Sequence, residues 1–517
     1  MENKRQLAIN MAASLVQFII NIGIGFGLSP FVVSRLGAEA YGYVGLANNI
    51  ISYASLLTVA LDSVAGRFIT VAYHQGDKDK ADRYFSSTFM ADCLIAAVVM
   101  VIAVPVTFNL ERLINISPHL VDDVKLTFAF LLVQFVVTSV STVLTVATFI
   151  TNKLYLSSMA NMGFSIIRLV VMVAFFGTLP PMVMYVALAS LAGTVFTVIM
   201  NYRYTRELTP ELRFRRAAVS WALVREMLSS GVWNVVIKLQ QVISFGLKLL
   251  IANLMVSPYK MGMMSIAQTV PTMVSSLMGT ISGLFYPEQT KYFAQGRIAE
   301  LVRDMKSGMR MCGFFTVIIT VVTCVVGREF FTLWQPGQDS SMLYLLMLIT
   351  MLGFLISGAA TTLQNVPLIV NKLKFYSITW LLFSLMSLPL TWLLLKFTPL
   401  DIYGVAIVPT ALEVIANVTF VPIYACVILG ISKGTFYPVY VQYVLSTALS
   451  FAACEGAKTL LRIPAGTWVT FFMSVMIYSV VAATITLLTL LGRRERATLW
   501  HIVARKLHIH TGNGDVN

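Results

Sequence analysis

Fourteen long apolar runs alternate with short polar segments along the chain. Most runs are continuous over 20 or more residues, the length that an α-helix needs to cross a bilayer, whereas the strands of a membrane barrel would alternate polar and apolar residues. The pattern predicts an all-α polytopic membrane protein with spans near 9–34, 42–65, 86–108, 124–150, 157–178, 181–202, 227–254, 262–286, 309–333, 342–369, 376–397, 403–429, 437–455 and 467–491.

Composition and charge agree with this class and set the orientation. The chain is 57% hydrophobic and 12% charged, against about 25% charged in soluble proteins. With the N-terminus inside, the loops on its side hold 26 of the 37 Lys and Arg residues, the opposite loops hold 8, and 3 lie in spans. This asymmetry predicts a plasma-membrane protein with both termini in the cytoplasm. It also explains the net charge of +14 without a nucleic-acid partner.

The seventh span, 227–254, contains two lysines. Asn234, Lys238, Gln241, Ser244 and Lys248 recur at helical spacing and would share one face of a continuous helix. A lysine at the centre of a bilayer costs about 3 kcal/mol or more unless it meets water or a partner. We therefore expect this face to line a wet, cationic cavity.

Three landmarks recur at one offset, which predicts an internal repeat. Gln75-Gly76 and Gln295-Gly296 are 220 residues apart, as are Tyr41-Gly42 and Met261-Gly262. Asn152-Lys153-Leu154 and Asn371-Lys372-Leu373 are 219 apart. Six spans per copy keep the copies parallel, as in transporters with two lobes around a midplane cavity.

The domain prediction follows from that repeat. We expect an N-lobe at 1–202, a cytoplasmic linker at 203–226, a C-lobe at 227–429, two additional spans within 430–491, and a cytoplasmic tail at 492–517. In the tail, Leu499, Trp500, Val503 and Leu507 lie at helical spacing beside basic residues, a pattern typical of an amphipathic interfacial helix. A simple solubilising tail is the alternative.

Polar stripes mark the helices expected to line the cavity. Span one carries Gln17 and Asn21 on a stripe with Asn10 and Ser14, span two carries Asn48, and span eight carries Gln268. With Asn234 and Gln241 of span seven, these are the predicted neutral lining residues. The alternative for each is a hydrogen bond that joins two helices in the membrane.

Five ionisable residues inside the spans are candidates for function. Arg168, Lys238 and Lys248 would bind an anionic substrate group; alternatively, Arg168 forms an internal salt bridge and Lys248 snorkels outwards. Asp62 and Glu413 are the candidates for ion coupling. Asp62, placed near the cytoplasmic end of its span, could instead pair with Arg67, and Glu413 could simply be the partner of Lys238. The bases outnumber the acids in this set, so the cavity is predicted to be cationic.

No catalytic or metal-binding pattern accompanies these residues. The sequence has no phosphate-binding Gly-x-x-x-x-Gly-Lys-Ser/Thr loop, no His-Glu-x-x-His and no Gly-x-Ser-x-Gly. The five histidines lie outside the apolar runs, and the five cysteines have no metal-like spacing. We expect a protein that is not an enzyme and has neither a cofactor nor a bound metal.

Several segments resemble the polysaccharide flippases (Wzx-like) of the multidrug/oligosaccharidyl-lipid/polysaccharide (MOP) exporter superfamily. They are Phe31-Val-Val-Ser-Arg-Leu-Gly37 with the following Ala38-Glu-Ala-Tyr-Gly42, Gln75-Gly-Asp-Lys78, the matching Gln295-Gly296 and the six, six and two layout of spans. The resemblance implies a V-shaped, two-lobed transporter whose scattered Lys and Arg bind a pyrophosphate. It also implies Na⁺ or H⁺ coupling.

The resulting hypothesis is a flippase that moves an undecaprenyl-pyrophosphate-linked oligosaccharide from the cytoplasmic to the outer leaflet for surface polysaccharide synthesis. Its partners would be that lipid-linked substrate, membrane lipids and, by resemblance, the polysaccharide polymerase machinery. The alternatives are a cation-coupled multidrug or small-molecule antiporter of the MOP type and a lipid II flippase. An antiporter of organic cations would need a pocket dominated by acids.

Overall fold

The computed structural model describes residues 2–463, 466–492 and 495–496, and every regular element within them is helical. The first ten α-helices are α1 (Glu2–Ala54), α2 (Val59–His74), α3 (Lys78–Phe108), α4 (Val121–Ser141), α5 (Val146–Ile150), α6 (Leu154–Thr178), α7 (Met184–Leu208), α8 (Trp221–Gln241), α9 (Leu247–Met255) and α10 (Pro258–Ala267). The remaining α-helices of the described part are α11 (Thr269–Gly283), α12 (Tyr286–Ala294), α13 (Ile298–Trp334), α14 (Ser340–Ser357), α15 (Val366–Ile369), α16 (Leu373–Phe397), α17 (Asp401–Ile415), α18 (Val421–Leu429), α19 (Tyr437–Leu461) and α20 (Trp468–Thr489).

Each predicted span coincides with helical structure, so the all-α polytopic class is confirmed. Within the described residues, 11 helical stretches are individually long and apolar enough to cross a bilayer. The first of these, Ala12–Ala54, contains most of span one and the first half of span two, because α1 continues through a kink at Gly37. Gly37 has φ 85° and ψ 167°, a conformation that is essentially restricted to glycine.

Several spans are built from more than one helix. A 3₁₀ turn at Thr142–Thr145 separates α4 from α5, and another at Gly358–Asn365 separates α14 from α15. π-helical turns interrupt the seventh span at Val242–Gly246 and the twelfth at Ala416–Phe420. Such irregular turns are tolerated at membrane depth only where protein or a cavity surrounds them.

The sequence repeat also appears in the backbone. Gly76 and Gly296 both have positive φ, at 82° and 69°, and the loop-opening residues Asn152 and Asn371 have φ 55° and 57°. The residue after each glycine or asparagine donates its N–H to a carbonyl five residues earlier, as in Lys153 to Thr148 and Lys372 to Pro367, both at 2.8 Å. The two halves therefore use the same local turn at equivalent positions.

Contacts divide the chain into two compact units. The N-terminal unit comprises residues 1–266 and 384–405, and the C-terminal unit comprises 267–383 and 406–517. The seventh span lies in the N-terminal unit, where α8 packs against α2 and α3, and α9 packs against α1. The predicted division into two six-helix lobes with a linker and two additional helices stays a prediction, and most of the tail, including its predicted amphipathic helix, lies outside the described residues.

The predicted cytoplasmic linker is docked rather than extended. Asp82, which is 1% exposed near the start of α3, accepts the backbone N–H of Arg213 at 2.8 Å and the Arg215 guanidinium at 2.6 Å. Ser87 of the same helix accepts the N–H of Ser220 at 2.9 Å. These contacts fix the direction in which the chain enters α8.

Two glycines at equivalent positions of the repeat meet in the N-terminal unit. A Cβ at Gly42 would lie 2.7 Å from the Cα of Gly262, and a Cβ at Gly262 would lie 2.0 Å from the carbonyl oxygen of Ala38. Small residues that allow backbones to approach closely are a common basis of helix association in membranes. This contact brings α10 directly onto α1.

We expect Gly262→Ala to lower the thermal stability of the purified protein, because overpacking of this kind costs about 1–3 kcal/mol. Gly279→Ala is the matched control on the same span, since a Cβ at Gly279 meets nothing within 4 Å. Equal melting temperatures for the two variants would contradict the close approach.

Candidate functional site

A chain of polar cavities runs through the N-terminal unit between α1, α2, α4, α6 and α7. We call them the arginine cavity, about 410 Å³, the hydroxyl cavity, about 520 Å³, and the acid cavity, which has two adjoining parts of about 500 and 310 Å³. Neighbouring cavities share lining residues: Asn161 and Phe164 join the first two, and Thr142 joins the hydroxyl cavity to both parts of the acid cavity. The cavities are therefore immediate neighbours, and together they form the candidate site.

The arginine cavity brings together three of the predicted site residues. Gln17 and Asn21 of α1 line it opposite Arg168 of α6, with Asn161 and Ser165 beside them. Ser165 donates a hydrogen bond to the Asn21 side-chain oxygen, which fixes α1 against α6 at this level. Gln17 and Asn21 of the stripe thus line a cavity in the structure, and their predicted role there stays a prediction.

Arg168 supplies the charge of this cavity. It lies 14 residues after the start of α6, about 21 Å along the helix axis. Its buried Nε has no hydrogen-bond partner, and among the described residues no acid forms an ion pair with it. The internal salt bridge that is the predicted alternative for Arg168 is therefore not formed within the described residues. A guanidinium with unused donors beside neutral amides is a binding site for an anion.

The hydroxyl cavity is lined almost entirely by uncharged polar residues. Ten of its twelve lining residues carry a hydroxyl or an amide, and the other two are Phe164 and Val198. Asn201 has a buried side-chain oxygen without a partner, and so does Gln134. Five of the lining hydroxyls donate to backbone carbonyls of the preceding turn, so the lining offers mainly uncharged acceptors, together with one aromatic ring.

The acid cavity contains Asp62 and Asn48. Both line its smaller part with Ser52, Ser55 and Gln134, and Asp62 also lines the larger part with Arg67. The position of Asp62 differs from the prediction, because α2 continues to His74 and places Asp62 twelve residues, or about 18 Å, from its end. The described residues show no ion pair between Asp62 and Arg67.

A third acid, Asp92, was missed by the sequence analysis. It lies in α3 and is fully buried at 0% exposure. Neither of its carboxylate oxygens has a hydrogen-bond partner in the described structure. A lone Asp inside the third apolar run is visible in the sequence, and it could have identified Asp92 as a candidate residue.

The seventh span departs from the predicted single wet face. The π-helical turn at Val242–Gly246 inserts an additional residue per turn, so residues beyond it no longer follow the α-helical spacing set by Asn234 and Lys238. Ser244 forms a hydrogen bond with Ser384 at 2.6 Å, and Lys248 is only 7% exposed and engaged in an interaction. The prediction of one continuous face is wrong for these two residues.

The remaining predicted residues lie apart from the cavity chain. Asn234 donates to Ser63 of α2 at 2.9 Å and so joins two helices, the alternative noted for such residues. Lys238 is half-buried and Gln241 is exposed on α8. Gln268 directly precedes α11 and Glu413 lies in α17, both in the C-terminal unit. Their predicted roles stay predictions.

Comparison with solved structures identifies the fold. The lipid II flippase MurJ in an inward closed conformation matches with a TM-score of 0.71 and 11% identity, covering 97% of this chain and all of MurJ. A multidrug resistance MATE family transporter of the MOP superfamily in an inward-facing conformation matches with a TM-score of 0.63 and 12% identity, covering 82% of this chain and 99% of the transporter. The chain has the fold of the MOP superfamily transporters.

A relative found by sequence comparison matches this chain over most of its length. The chain is 27% identical over 459 residues to the uncharacterized membrane protein EpsK of Bacillus subtilis (strain 168), covering 89% of this chain and 90% of EpsK. No protein-family model matches the chain. A transporter fold and a membrane-protein relative agree with a multi-pass membrane protein.

If the arginine cavity is wet, a cysteine there will react with a charged thiol reagent that does not enter lipid. In a chain whose native cysteines are replaced by alanine, we expect Asn21→Cys to react at least about tenfold faster than Ile19→Cys, because the reactive thiolate forms far more readily in water. Ile19 is an apolar residue of the same helix with 67% exposure. Equally slow labelling of both would show that the cavity is closed to water.

Proposed function

We propose that this protein is a flippase that translocates a polyprenyl-pyrophosphate-linked oligosaccharide across the plasma membrane for surface polysaccharide synthesis. The observation that carries the proposal is the Arg168 guanidinium, which has no acidic partner among the described residues and lines a polar cavity inside the membrane. A pyrophosphate supplies the anionic oxygens that such a group is built to bind. The termini lie in the cytoplasm in this proposal.

The lining of the hydroxyl cavity is suited to a carbohydrate that would bind next to Arg168. Sugars present many hydroxyl groups and no net charge, and ten uncharged polar side chains line this cavity directly beyond Asn161. Phe164 lies at the junction of the two cavities and supplies an apolar surface for a sugar ring. The polyprenyl tail would remain in lipid, because it gains nothing from a polar cavity.

The extent of the structural matches supports the flippase over the drug antiporter. MurJ, a lipid II flippase, covers 97% of the chain, whereas the MATE transporter covers 82%. The lining chemistry is compatible with this choice, since the described lining of the arginine and hydroxyl cavities holds one base and no acid, and Arg67 accompanies Asp62 in the acid cavity. A lipid II flippase would share the pyrophosphate and the polyprenyl tail, so the two flippase candidates differ in the sugar.

We expect Arg168→Ala to weaken binding of a short-chain polyprenyl pyrophosphate at least about tenfold, since hydrogen bonds to a charged group contribute about 1.5–3 kcal/mol. Arg168→Lys keeps the charge but loses the paired donors, and should lie between the wild type and Arg168→Ala. Binding would be measured on purified protein in detergent by native mass spectrometry. Arg206→Ala is the matched control, because Arg206 is exposed at the end of α7 and contacts Tyr202.

Translocation is the second measurement. Proteoliposomes would contain a fluorescent polyprenyl-pyrophosphate-linked disaccharide, and a membrane-impermeant quencher would report its leaflet. The wild type and Arg206→Ala should expose the lipid to the quencher, while Arg168→Ala should not. Unchanged binding and translocation in Arg168→Ala would overturn the proposal. Export of an organic cation such as ethidium, without lipid translocation, would favour the antiporter instead.

A further inference from the structure

The chain between α7 and α8 contains a stretch that is both basic and aromatic. Residues Leu212-Arg-Phe-Arg-Arg-Ala-Ala-Val-Ser-Trp-Ala-Leu-Val-Arg225 include four arginines and no acid, and they lead directly into the seventh span. We call this stretch the basic segment. A cluster of about four to eight basic residues beside a membrane span is typical of a segment that meets anionic lipid headgroups.

Side chains of α3 hold the backbone of the basic segment in place. The Ser86 hydroxyl accepts the N–H of Arg215 at 3.1 Å and donates to the carbonyl of Arg213 at 3.2 Å. These bonds add to those that Asp82 and Ser87 make with the same stretch. The conformation of the segment is thus set before any ligand binds, which lowers the ordering cost of binding.

The same contacts define the depth of the basic segment. Ser86 is the first residue of the third predicted span, and Asp82 lies one helical turn, about 6 Å, before it. Phe214 of the segment packs on Phe89, which lies inside that span, with ring centroids 4.9 Å apart. Because the segment contacts α3 on both sides of the edge of the apolar run, we expect it to lie at the depth of the lipid headgroups.

Three arginines of the basic segment present their charge on the surface. Arg213, Arg216 and Arg225 are exposed. Arg213 donates its Nε–H to the carbonyl of Pro210 at 2.9 Å, which holds the side chain without neutralising it. Among the described residues, Arg215 is the one arginine of the four that forms an ion pair, to a carboxylate of α3 at 2.6 Å. Three positive charges therefore remain for a ligand.

The nearby acids do not cancel these charges. Glu211, directly before the segment, pairs with Lys78, and Glu226, directly after it, accepts the Tyr84 hydroxyl at 3.0 Å. Glu226 is thus the one flanking acid without a cationic partner in the described structure. The other exposed charges at the start of α3 balance one another: Asp77 and Asp79, Lys80 and Arg83. The surface stays positive.

Two aromatic side chains of the segment are exposed next to the arginines. Trp221 is 56% exposed and Phe214 is 38% exposed. Tryptophan is enriched at membrane–water interfaces, where its amphipathic ring lies at the headgroup level. Guanidinium groups bind phosphate oxygens through paired N–H donors. Rings for the upper acyl chains and donors for a phosphate are therefore available at one depth.

We propose that the basic segment is a binding site for the headgroups of anionic phospholipids. The phosphate accepts hydrogen bonds from Arg213 and Arg216, and Trp221 contacts the glycerol region and the first acyl carbons. Charge complementarity selects the anionic class, because a zwitterionic headgroup has a positive group that these arginines repel. Binding stabilises the docked linker and so the entry of the chain into α8. The site does not depend on which substrate the protein transports.

Trp221 makes the site directly observable. The purified full-length protein in detergent would be titrated with phosphatidylglycerol that carries bromine on its acyl chains, because bromine quenches tryptophan fluorescence at contact range. The signal of Trp221 is the difference between the wild type and Trp221→Phe, since the other six tryptophans are common to both. We expect brominated phosphatidylglycerol to quench this difference at a concentration at least about tenfold lower than brominated phosphatidylcholine with the same chains.

Charge removal tests the arginines. Arg213→Gln combined with Arg216→Gln should weaken the quenching by phosphatidylglycerol at least about tenfold, since each basic residue near an anionic surface contributes about fivefold in affinity. Arg203→Gln combined with Arg206→Gln is the matched control, because it removes two exposed arginines from the last turns of α7. Phosphatidylglycerol should also raise the melting temperature of the wild type and the control more than that of the first variant.

Each outcome has a defined meaning. Equal quenching by the two lipids, or equal losses in the two double variants, would overturn the site in favour of ordinary lipid contact or diffuse attraction. Displacement of phosphatidylglycerol by micromolar amounts of a peptide rich in Asp and Glu, or by a short-chain polyprenyl pyrophosphate, would assign the segment to an acidic protein or to the substrate and would also overturn it. Selective quenching without translocation of a polyprenyl lipid would mean that the proposed function fails while the phospholipid site stands.

Discussion

A polar group inside a bilayer must find a partner within the protein or reach water, and this requirement organises the N-terminal unit. Asn234 finds Ser63, Ser244 finds Ser384, and Asn21 finds Ser165, so single hydrogen bonds fix neighbouring helices at defined depths. The buried polar groups that lack a hydrogen-bond partner in the described structure are the informative ones. Asp62, Gln134, Arg168 and Asn201 are among them, and all four line the cavities of the candidate site. Water or a substrate would supply the missing partner there.

The cavities separate their charges by position. Arg168 lines the arginine cavity, Asp62 and Arg67 line the acid cavity, and the described lining of the hydroxyl cavity between them is uncharged. The charged side chains therefore lie at the two ends of the row of cavities. The uncharged middle offers many weak contacts in place of one strong contact, and the proposed oligosaccharide would bind there.

Irregular helices make this arrangement possible. The π-helical turn at Val242–Gly246 shifts the register of the seventh span, and the Asn49 side chain donates to the carbonyl of Gly246 at 3.1 Å. The 3₁₀ turn at Thr142–Thr145 places threonine hydroxyls in the cavity wall. Each turn depends on contacts from another helix, so neither is visible in the hydrophobic pattern of the span that contains it.

The sequence alone determined the helical class, the fourteen spans and the repeated turns at Gly76 and Gly296 and at Asn152 and Asn371, because these follow from local hydrophobicity and turn chemistry. It also identified Gln17, Asn21 and Arg168 as candidate cavity residues, because polar and charged side chains in lipid need an explanation, and their functional roles stay predictions. Only the tertiary structure decided that Lys248 and Asp92 are buried and that Asn234 joins two helices. Those outcomes depend on which helices are neighbours and on one shifted helical turn, and periodicity along a single span contains neither.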